Sequence, residues 1–279
     1  RFVQQVNEDI SFERFEPNEQ VLQRLVAGLG DPRGVVRLRF AETLGQIGEV
    51  ATPHLITALE GHSDVVLRRA AAKTLTLIAD PAAVPTLVNS FLNDEDTVVR
   101  GSSVGALART GVTAVPELLK ILGNPEHRQE IKGHAAWALA FIGAEATEYL
   151  FEALNNASLD VRCAVIGALG HVAQENSDEK VCQLLVAALD DQEALIRTEA
   201  AAVLGQINYP PSVEPLIRGV NDPDLDVRKA AINSLGKIGD PRATEPLKEL
   251  LEDEDPAVKV LAKLAIAQME RDAQGEDGW

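Results

Sequence analysis

The chain has 279 residues, and its 43 acidic against 26 basic side chains give a formal net charge of -17 at pH 7. This excess of negative charge repels phosphate backbones, so a nucleic-acid-binding protein is excluded. Two cysteines are too few to cross-link the chain, and no apolar run approaches the roughly 18 residues of a membrane span, so we expect a soluble protein of a reducing compartment.

The two ends of the chain differ from the part between them. Residues 1–17 carry Phe2, Phe12 and Phe15 among acidic residues. We interpret them as an N-terminal capping segment that covers the edge of the first repeat, with a partner-binding arm as the alternative. Residues 271–279 are acidic and end in Gly-Trp, a composition that predicts a flexible tail.

Between these ends, residues 18–270 repeat a motif of about 31 residues eight times. Each copy has a basic anchor residue, and in most copies the positions four, seven and eleven residues later are small or aliphatic, which is the spacing of one helical stripe. A first helix, often with proline near its start, precedes each anchor, and a short polar turn joins the two helices. The pattern predicts an all-α, right-handed α-solenoid of about eight helix pairs. The anchors are Arg37, Arg68, Arg100, Lys132, Arg162, Arg197, Arg228 and Lys259.

Most turns carry Asp or Asn six residues before the anchor. A carboxylate in the turn can cap the second helix, and stacking brings each Asp near the Arg of a neighbouring repeat. We interpret these residues as a structural ladder, because every repeat needs a clamp whereas an active site is not needed eight times. The ladder residues are Asp31, Arg37, Asp94, Arg100, Arg162, Asp191, Arg197, Asp222 and Arg228.

Two-helix units with a turn Asp and a second-helix Arg resemble HEAT repeats. The segments at 227–231 (VRKAA), 235–241 (LGKIGDP) and 245–247 (EPL) are similar to the short HEAT-like repeat named after phycobilisome lyases. The resemblance implies an E/F-type bilin lyase, a phycobilisome degradation factor or another photosynthetic assembly protein, located in the cyanobacterial cytoplasm or the plastid stroma. It implies a fold and a style of partner binding more directly than a reaction.

The second helices offer a candidate binding face opposite the core stripe, at positions two, five and nine after the anchor. In a superhelix this face tends to line a concave groove, and in the fourth repeat it gains aromatic bulk. Aromatic and Arg residues ringed by polar groups are typical of a binding hot spot. The alternative is that the aromatic rings fill a gap left by Gly133 and Gly167. The predicted ligand or partner groove comprises Lys73, Arg109, His134, Trp137, Phe141 and His171.

Histidines and cysteines show no spacing typical of a metal site or a catalytic nucleophile. We interpret Cys163 as a core residue, with a thiol that holds a cluster or a bilin as the alternative. Glu42 and Glu199 share the groove face but lie several repeats away from the aromatic residues. The sequence therefore assigns no catalytic residue, no metal ligand and no cofactor, with a bilin as the possible exception.

Three functional hypotheses remain open. The main one is a non-catalytic scaffold or assembly chaperone that binds a protein client in the groove, such as a phycobiliprotein or another photosynthetic assembly component. The first alternative is a bilin lyase, or a lyase subunit completed by a second HEAT-repeat chain, that attaches an open-chain tetrapyrrole to a client cysteine. The second alternative is a docking platform in iron-sulfur cluster assembly.

Overall fold

The computed structural model describes residues 1–273, and among these residues the regular structure is helical with no strand. Two compact units divide the chain, one up to Ala146 and one from Thr147 onward. The first unit contains α1 (Phe2–Ser11), α2 (Glu19–Ala27), α3 (Gly34–Ile47), α4 (Thr52–Gly61), α5 (Val65–Ile78), α6 (Val84–Asn93), α7 (Thr97–Arg109), α8 (Val115–Gly123) and α9 (Gln129–Ile142). The second contains α10 (Thr147–Ala153), α11 (Leu159–Asn176), α12 (Glu179–Ala187), α13 (Ala194–Ile207), α14 (Val213–Gly219), α15 (Leu225–Ile238), α16 (Thr244–Glu249) and α17 (Pro256–Ala273).

Within the described residues, the helices after α1 form eight pairs, each a first helix with an even number and a second helix with the next odd number. Pro53, Pro85 and Pro116 are the second residues of α4, α6 and α8, within the first turn, where the missing N–H has no partner to lose. None of the helices up to Ala273 combines the length and the apolar character needed to cross a membrane. The predicted all-α chain of eight helix pairs is confirmed.

The second helices pack side by side in chain order within each unit. In the first unit, α5 contacts α3 and α7, and α7 contacts α9; in the second, α13 contacts α11 and α15, and α15 contacts α17. The leucines seven residues after the anchors are buried between the helices, as their spacing predicts. They are Leu44, Leu75, Leu107, Leu139, Leu169, Leu204 and Leu235. Each buried leucine contributes about 1.5–3 kcal/mol of transfer free energy.

Glycine allows a close approach of second helices in the second unit. A Cβ added to Gly236 on α15 would lie 2.8 Å from the Cβ and 2.9 Å from the Cα of Ala265 on α17. Such distances are too short for two carbon atoms, so the spacing of these helices depends on the absence of a side chain at position 236.

The turn carboxylates have a different role from the one that the sequence predicts. Where an Asp stands four positions before the anchor, that residue caps the second helix: Asp96 accepts hydrogen bonds from the backbone N–H groups of Val98 and Val99, and Asp224 from those of Asp226 and Val227. Helices α3, α9, α11 and α13 have no side-chain cap at this position. The residue six positions before the anchor instead binds the backbone N–H two residues on, as Asp222 does with the N–H of Asp224 at 2.8 Å. It thereby shapes the turn, because an Asx turn positions the capping residue that follows.

The N-terminal helix α1 packs against α3. The Asn7 side chain accepts a hydrogen bond from the hydroxyl of Thr43 at 2.7 Å, and the guanidinium of Arg24 lies 3.9 Å from the ring centroid of Phe2. A capping role for residues 1–17 remains a prediction. The predicted acidic tail, 271–279, begins inside α17, and its residues 274–279 lie outside the described part of the chain.

Candidate functional site

The ladder residues join consecutive repeats through bidentate ion pairs. Arg197 on α13 donates Nε and Nη2 to the two carboxylate oxygens of Asp222 in the next repeat, at 2.8 Å each, and its Nη1 donates to the carbonyl oxygen of Asp191 in its own repeat. Arg68 makes the same bidentate pair with Asp94, at 3.0 and 3.2 Å. Each of these guanidinium groups thus binds the turn of its own repeat and the turn of the following repeat. This is a structural role.

Several ladder positions depart from this arrangement. Arg162 reaches Asp191 through Nη1 alone, at 3.2 Å. Asp31, in the first repeat, pairs with Arg33 at 2.9 and 3.0 Å, and this guanidinium lowers the pKa of the Asp31 carboxyl to about 2. The remaining ladder arginines donate to the carbonyl of their own turn, six residues back; they are Arg37 (2.6 Å), Arg100 (3.1 Å) and Arg228 (3.0 Å).

The aromatic residues of the predicted groove are exposed on α9. Trp137 is 51% exposed and Phe141 is 49% exposed, and their ring centroids lie 5.6 Å apart with the planes tilted by 36°. A Cβ added to Gly133, one turn earlier on the same helix, would meet no heavy atom within 4 Å. The space beside Gly133 therefore stays open, which disagrees with the alternative that the rings fill a gap there.

The other predicted groove residues divide between the two units. Lys73 on α5, Arg109 at the end of α7 and His134 on α9 are exposed in the first unit, together with Trp137 and Phe141. The His134 ring stands edge-on to Phe91, with centroids 6.3 Å apart. His171 is exposed on α11, in the second unit.

Helices α5 and α7 carry positive charge without acidic residues, in a chain whose formal net charge is -17. Three basic residues lie on α5 and two on α7, and neither helix contains Asp or Glu. Asp94 and Asp96 neutralise Arg68 and Arg69 through ion pairs, so the cations of these helices that are left to attract an anionic group include Lys73.

An open cavity of about 470 Å³ lies on the second-helix face of the first three repeats. The sequence pattern does not single out its apolar residues Leu38, Leu77 and Val98, which are 56%, 57% and 40% exposed. The signal for Leu38 and Leu77 is that they lie one and nine residues after their anchors, at positions where several other repeats carry polar residues. The cavity is lined by Gly34, Arg37, Leu38, Ala41, Val66, Arg69, Ala70, Lys73, Leu77 and Val98.

The two cysteines are separate from this cavity. Cys163 is partly buried on α11, and its burial, helped by the negative charge of Glu199, raises the pKa of the thiol to about 11. Cys182 is buried on α12, and its burial raises its pKa as well. Among residues 1–273, no group of three or more His, Cys, Asp or Glu side chains is placed to hold a metal ion.

Comparison with known proteins gives matches along most of the chain. The family model of HEAT repeats matches residues 52–132, 115–204 and 183–267, and that of the PBS lyase HEAT-like repeat matches residues 36–61. The chain is 40% identical over 192 residues to the bilin biosynthesis protein MpeU of Synechococcus sp., which covers 68% of this chain and 65% of MpeU. It therefore spans slightly less than two thirds of that relative.

Two further similarities concern the lyases and the fold. The chain is 36% identical over 210 residues to the phycocyanobilin lyase subunit alpha of Picosynechococcus sp., covering 72% of this chain and 69% of the subunit. The structure of yeast importin-beta (Kap95p) superposes with a TM-score of 0.53 at 14% identity, over 92% of this chain and 42% of importin-beta, which shows the fold alone. The relatives favour the bilin-lyase hypothesis over a scaffold without chemistry. Since both the repeat model and the lyase subunit match over most of the chain, the chain belongs to the HEAT-repeat proteins of the phycobilisome lyase family.

Proposed function

We propose that this protein is a subunit of a bilin lyase, which binds an open-chain tetrapyrrole and presents it to a cysteine of a phycobiliprotein. The observation that carries the proposal is the 36% identity to a phycocyanobilin lyase subunit over 69% of that subunit. The basic, partly apolar face of the first unit supports it, because a bilin is a flat conjugated molecule with two carboxylates.

The reaction needs no oxidant or reductant. The sulfur of the client thiol forms a bond to one carbon of an exocyclic double bond of the bilin, and the thiol proton ends on the neighbouring carbon. A protein favours such an addition by holding the two reactants in contact and by keeping bulk water away from the reactive double bond.

We propose that the exposed pair Trp137 and Phe141 contacts the protein client. Large exposed aromatic rings beside Arg and His side chains are typical of the residues that dominate protein interfaces. Arg109 and His134, exposed in the same unit, would surround them. A scaffold without chemistry would use this surface in the same way, so the reaction has to be tested separately from client binding.

We also propose that a second HEAT-repeat subunit completes the enzyme, because the lyase relative is named as subunit alpha. The sources of the relatives, Synechococcus and Picosynechococcus, support a place in the cyanobacterial cytoplasm or, for a plastid-bearing source, in the stroma.

The test is co-expression of the chain with a phycobiliprotein client in cells that produce phycocyanobilin, with and without a candidate second subunit. The client is separated under denaturing conditions and examined for the zinc-enhanced fluorescence of a covalently bound bilin. The proposal expects fluorescence on the client that depends on this chain. A client that remains colourless with every second subunit tried, or that is labelled equally without this chain, would contradict it.

A further inference from the structure

The cavity between α3, α5 and α7 combines apolar sides with three cations, and two of these cations already have partners. Arg37 donates to the carbonyl oxygen of Asp31 at 2.6 Å. Arg69 donates Nε to the Asp96 carboxylate at 2.9 Å and makes a second bond to it through Nη2. Lys73 is the third cation, and none of the hydrogen bonds or ion pairs found within residues 1–273 involves its ammonium group.

The surroundings of Lys73 are suited to an anion that also has an apolar body. Leu38, Leu77 and Val98 line the cavity, and the Asp96 carboxylate that caps α7 is bound to Arg69. The cavity volume of about 470 Å³ lies within the roughly 300–1,000 Å³ of small-molecule sites, and the cavity is open to solvent.

We propose that this cavity is the bilin-binding site. In it, Lys73 pairs with a carboxylate of the pigment, and the pyrrole rings of the pigment contact Leu38, Leu77 and Val98. This inference rests on the proposed function and specifies where the pigment binds. The pigment occupies the first three repeats, while Trp137 and Phe141 on α9 remain available to the client. An acidic segment of the client is the competing occupant, and the choice of probes below separates the two.

The experiment is a titration of the purified full chain with phycocyanobilin, followed by the change in visible absorption and circular dichroism. Lys73→Met removes the charge and retains most of the side-chain length. Leu38→Glu places a negative charge on the cavity surface at a residue that is already 56% exposed, so folding is not at risk. Lys120→Met is the matched control, because Lys120 is an exposed lysine on a first helix of the same unit.

We expect Lys73→Met to weaken phycocyanobilin binding about tenfold, Leu38→Glu to weaken it at least as much, and Lys73→Arg to restore most of the affinity. The Lys120→Met control should bind as the unmodified chain does. The dimethyl ester of the bilin distinguishes a charge interaction of Lys73 from a structural role of Lys73. Because the ester has no carboxylate, it should bind the Lys73→Met variant and the unmodified chain equally.

The outcomes separate this inference from the proposed function. If the unmodified chain binds phycocyanobilin and the Lys73→Met and Leu38→Glu variants bind it equally well, the cavity is not the site, whereas a pigment-binding lyase subunit stands. If these variants lose binding of an apo-client while pigment affinity is unchanged, the occupant is the client segment and the inference is overturned. If the unmodified chain does not change the spectrum of the bilin at any concentration, pigment binding by this chain fails together with the site.

Discussion

The Arg197 guanidinium binds both carboxylate oxygens of Asp222 in the following repeat, at 2.8 Å each, and closes its own turn through the Asp191 carbonyl. Both side chains of the pair are largely buried, with 13% and 12% of their surface exposed. The bond therefore links two helix pairs at a place where water has limited access to either charge.

Replacement of Arg197 by Met should destabilise the protein by about 3 kcal/mol, because it leaves the Asp222 carboxylate buried without its counter-charge. The free energy of unfolding in urea measures the effect. Arg242→Met provides the matched control: Arg242 pairs with Asp240 but is about half exposed, so its removal should cost about 1 kcal/mol or less. Equal losses for the two variants would contradict a special role of the buried pair.

The same pair should make stability depend on pH at the acid end. Arg197 lowers the pKa of Asp222 below its ordinary value, so the contribution of the pair is present above the unfolded-state pKa of about 4 and is lost as pH falls through the lowered folded-state value. The difference in unfolding free energy between the unmodified chain and Asp222→Asn should be constant from about pH 7 to pH 5 and shrink below about pH 4. A difference that stays constant down to the acid transition would contradict this assignment.

Two glycines on second helices should respond to alanine in opposite directions. Gly236→Ala forces a Cβ to within 2.8 Å of Ala265, so we expect a loss of about 1–3 kcal/mol. A Cβ at Gly105 on α7 would meet nothing within 4 Å, so Gly105→Ala should add about 0.5–1 kcal/mol through helix propensity. Thermal unfolding of both variants measures the two changes in stability. A stabilised Gly236→Ala protein would contradict the prediction, because it would show that α15 and α17 can move apart without loss of stability.

The Trp137→Ala/Phe141→Ala variant should fold normally and bind its client more weakly. Both rings are about half exposed, so their removal creates no cavity in the core, whereas loss of two interface aromatics costs about 2 kcal/mol or more of binding. Capture of a phycobiliprotein client by the immobilised chain measures the loss, with unfolding in urea as the check on folding. Undiminished capture would remove this pair from the client interface.

The Cys163 thiol should react slowly in the folded protein. Its pKa is raised to about 11, so the thiolate fraction at pH 8 is far smaller than that of an unperturbed cysteine with a pKa of about 8.5. The rate of reaction with a disulfide reagent, compared with the rate in urea, tests this expectation. A fast native reaction at Cys163 would revive a role for that thiol in holding a bilin or a cluster.

The helix pairs can be predicted from the sequence because the spacing of anchor and core residues repeats along the chain. The spacing from Arg37 to the core leucine Leu44 recurs in the later copies, and each copy faces the same neighbours, so one interpretation serves the whole chain. The sequence predicts the wrong residue as the helix cap because both turn positions carry Asp, and only backbone geometry separates the Asx turn of Asp222 from the cap of Asp224.

The candidate site is less readable, because it depends on exposure and on which cations have partners. The sequence marks Lys73, Trp137 and Phe141 by position, but it does not show that Arg69 is committed to Asp96 while Lys73 has no such bond. Nor does the pattern reveal that Leu38 and Val98 line one cavity, since residues on different helices come together only through packing.

The most direct measurement is transfer of pigment from this chain to a client. The chain, alone and with its candidate second subunit, is loaded with phycocyanobilin, freed of unbound pigment and mixed with apo-phycobiliprotein, and the intact mass of the client is followed over time. A bilin lyase subunit predicts that the client gains the mass of one bilin at a cysteine, at a rate that depends on this chain and falls when Lys73 is replaced by Met. A client whose mass never changes, or that gains the pigment equally fast from free bilin, would contradict it.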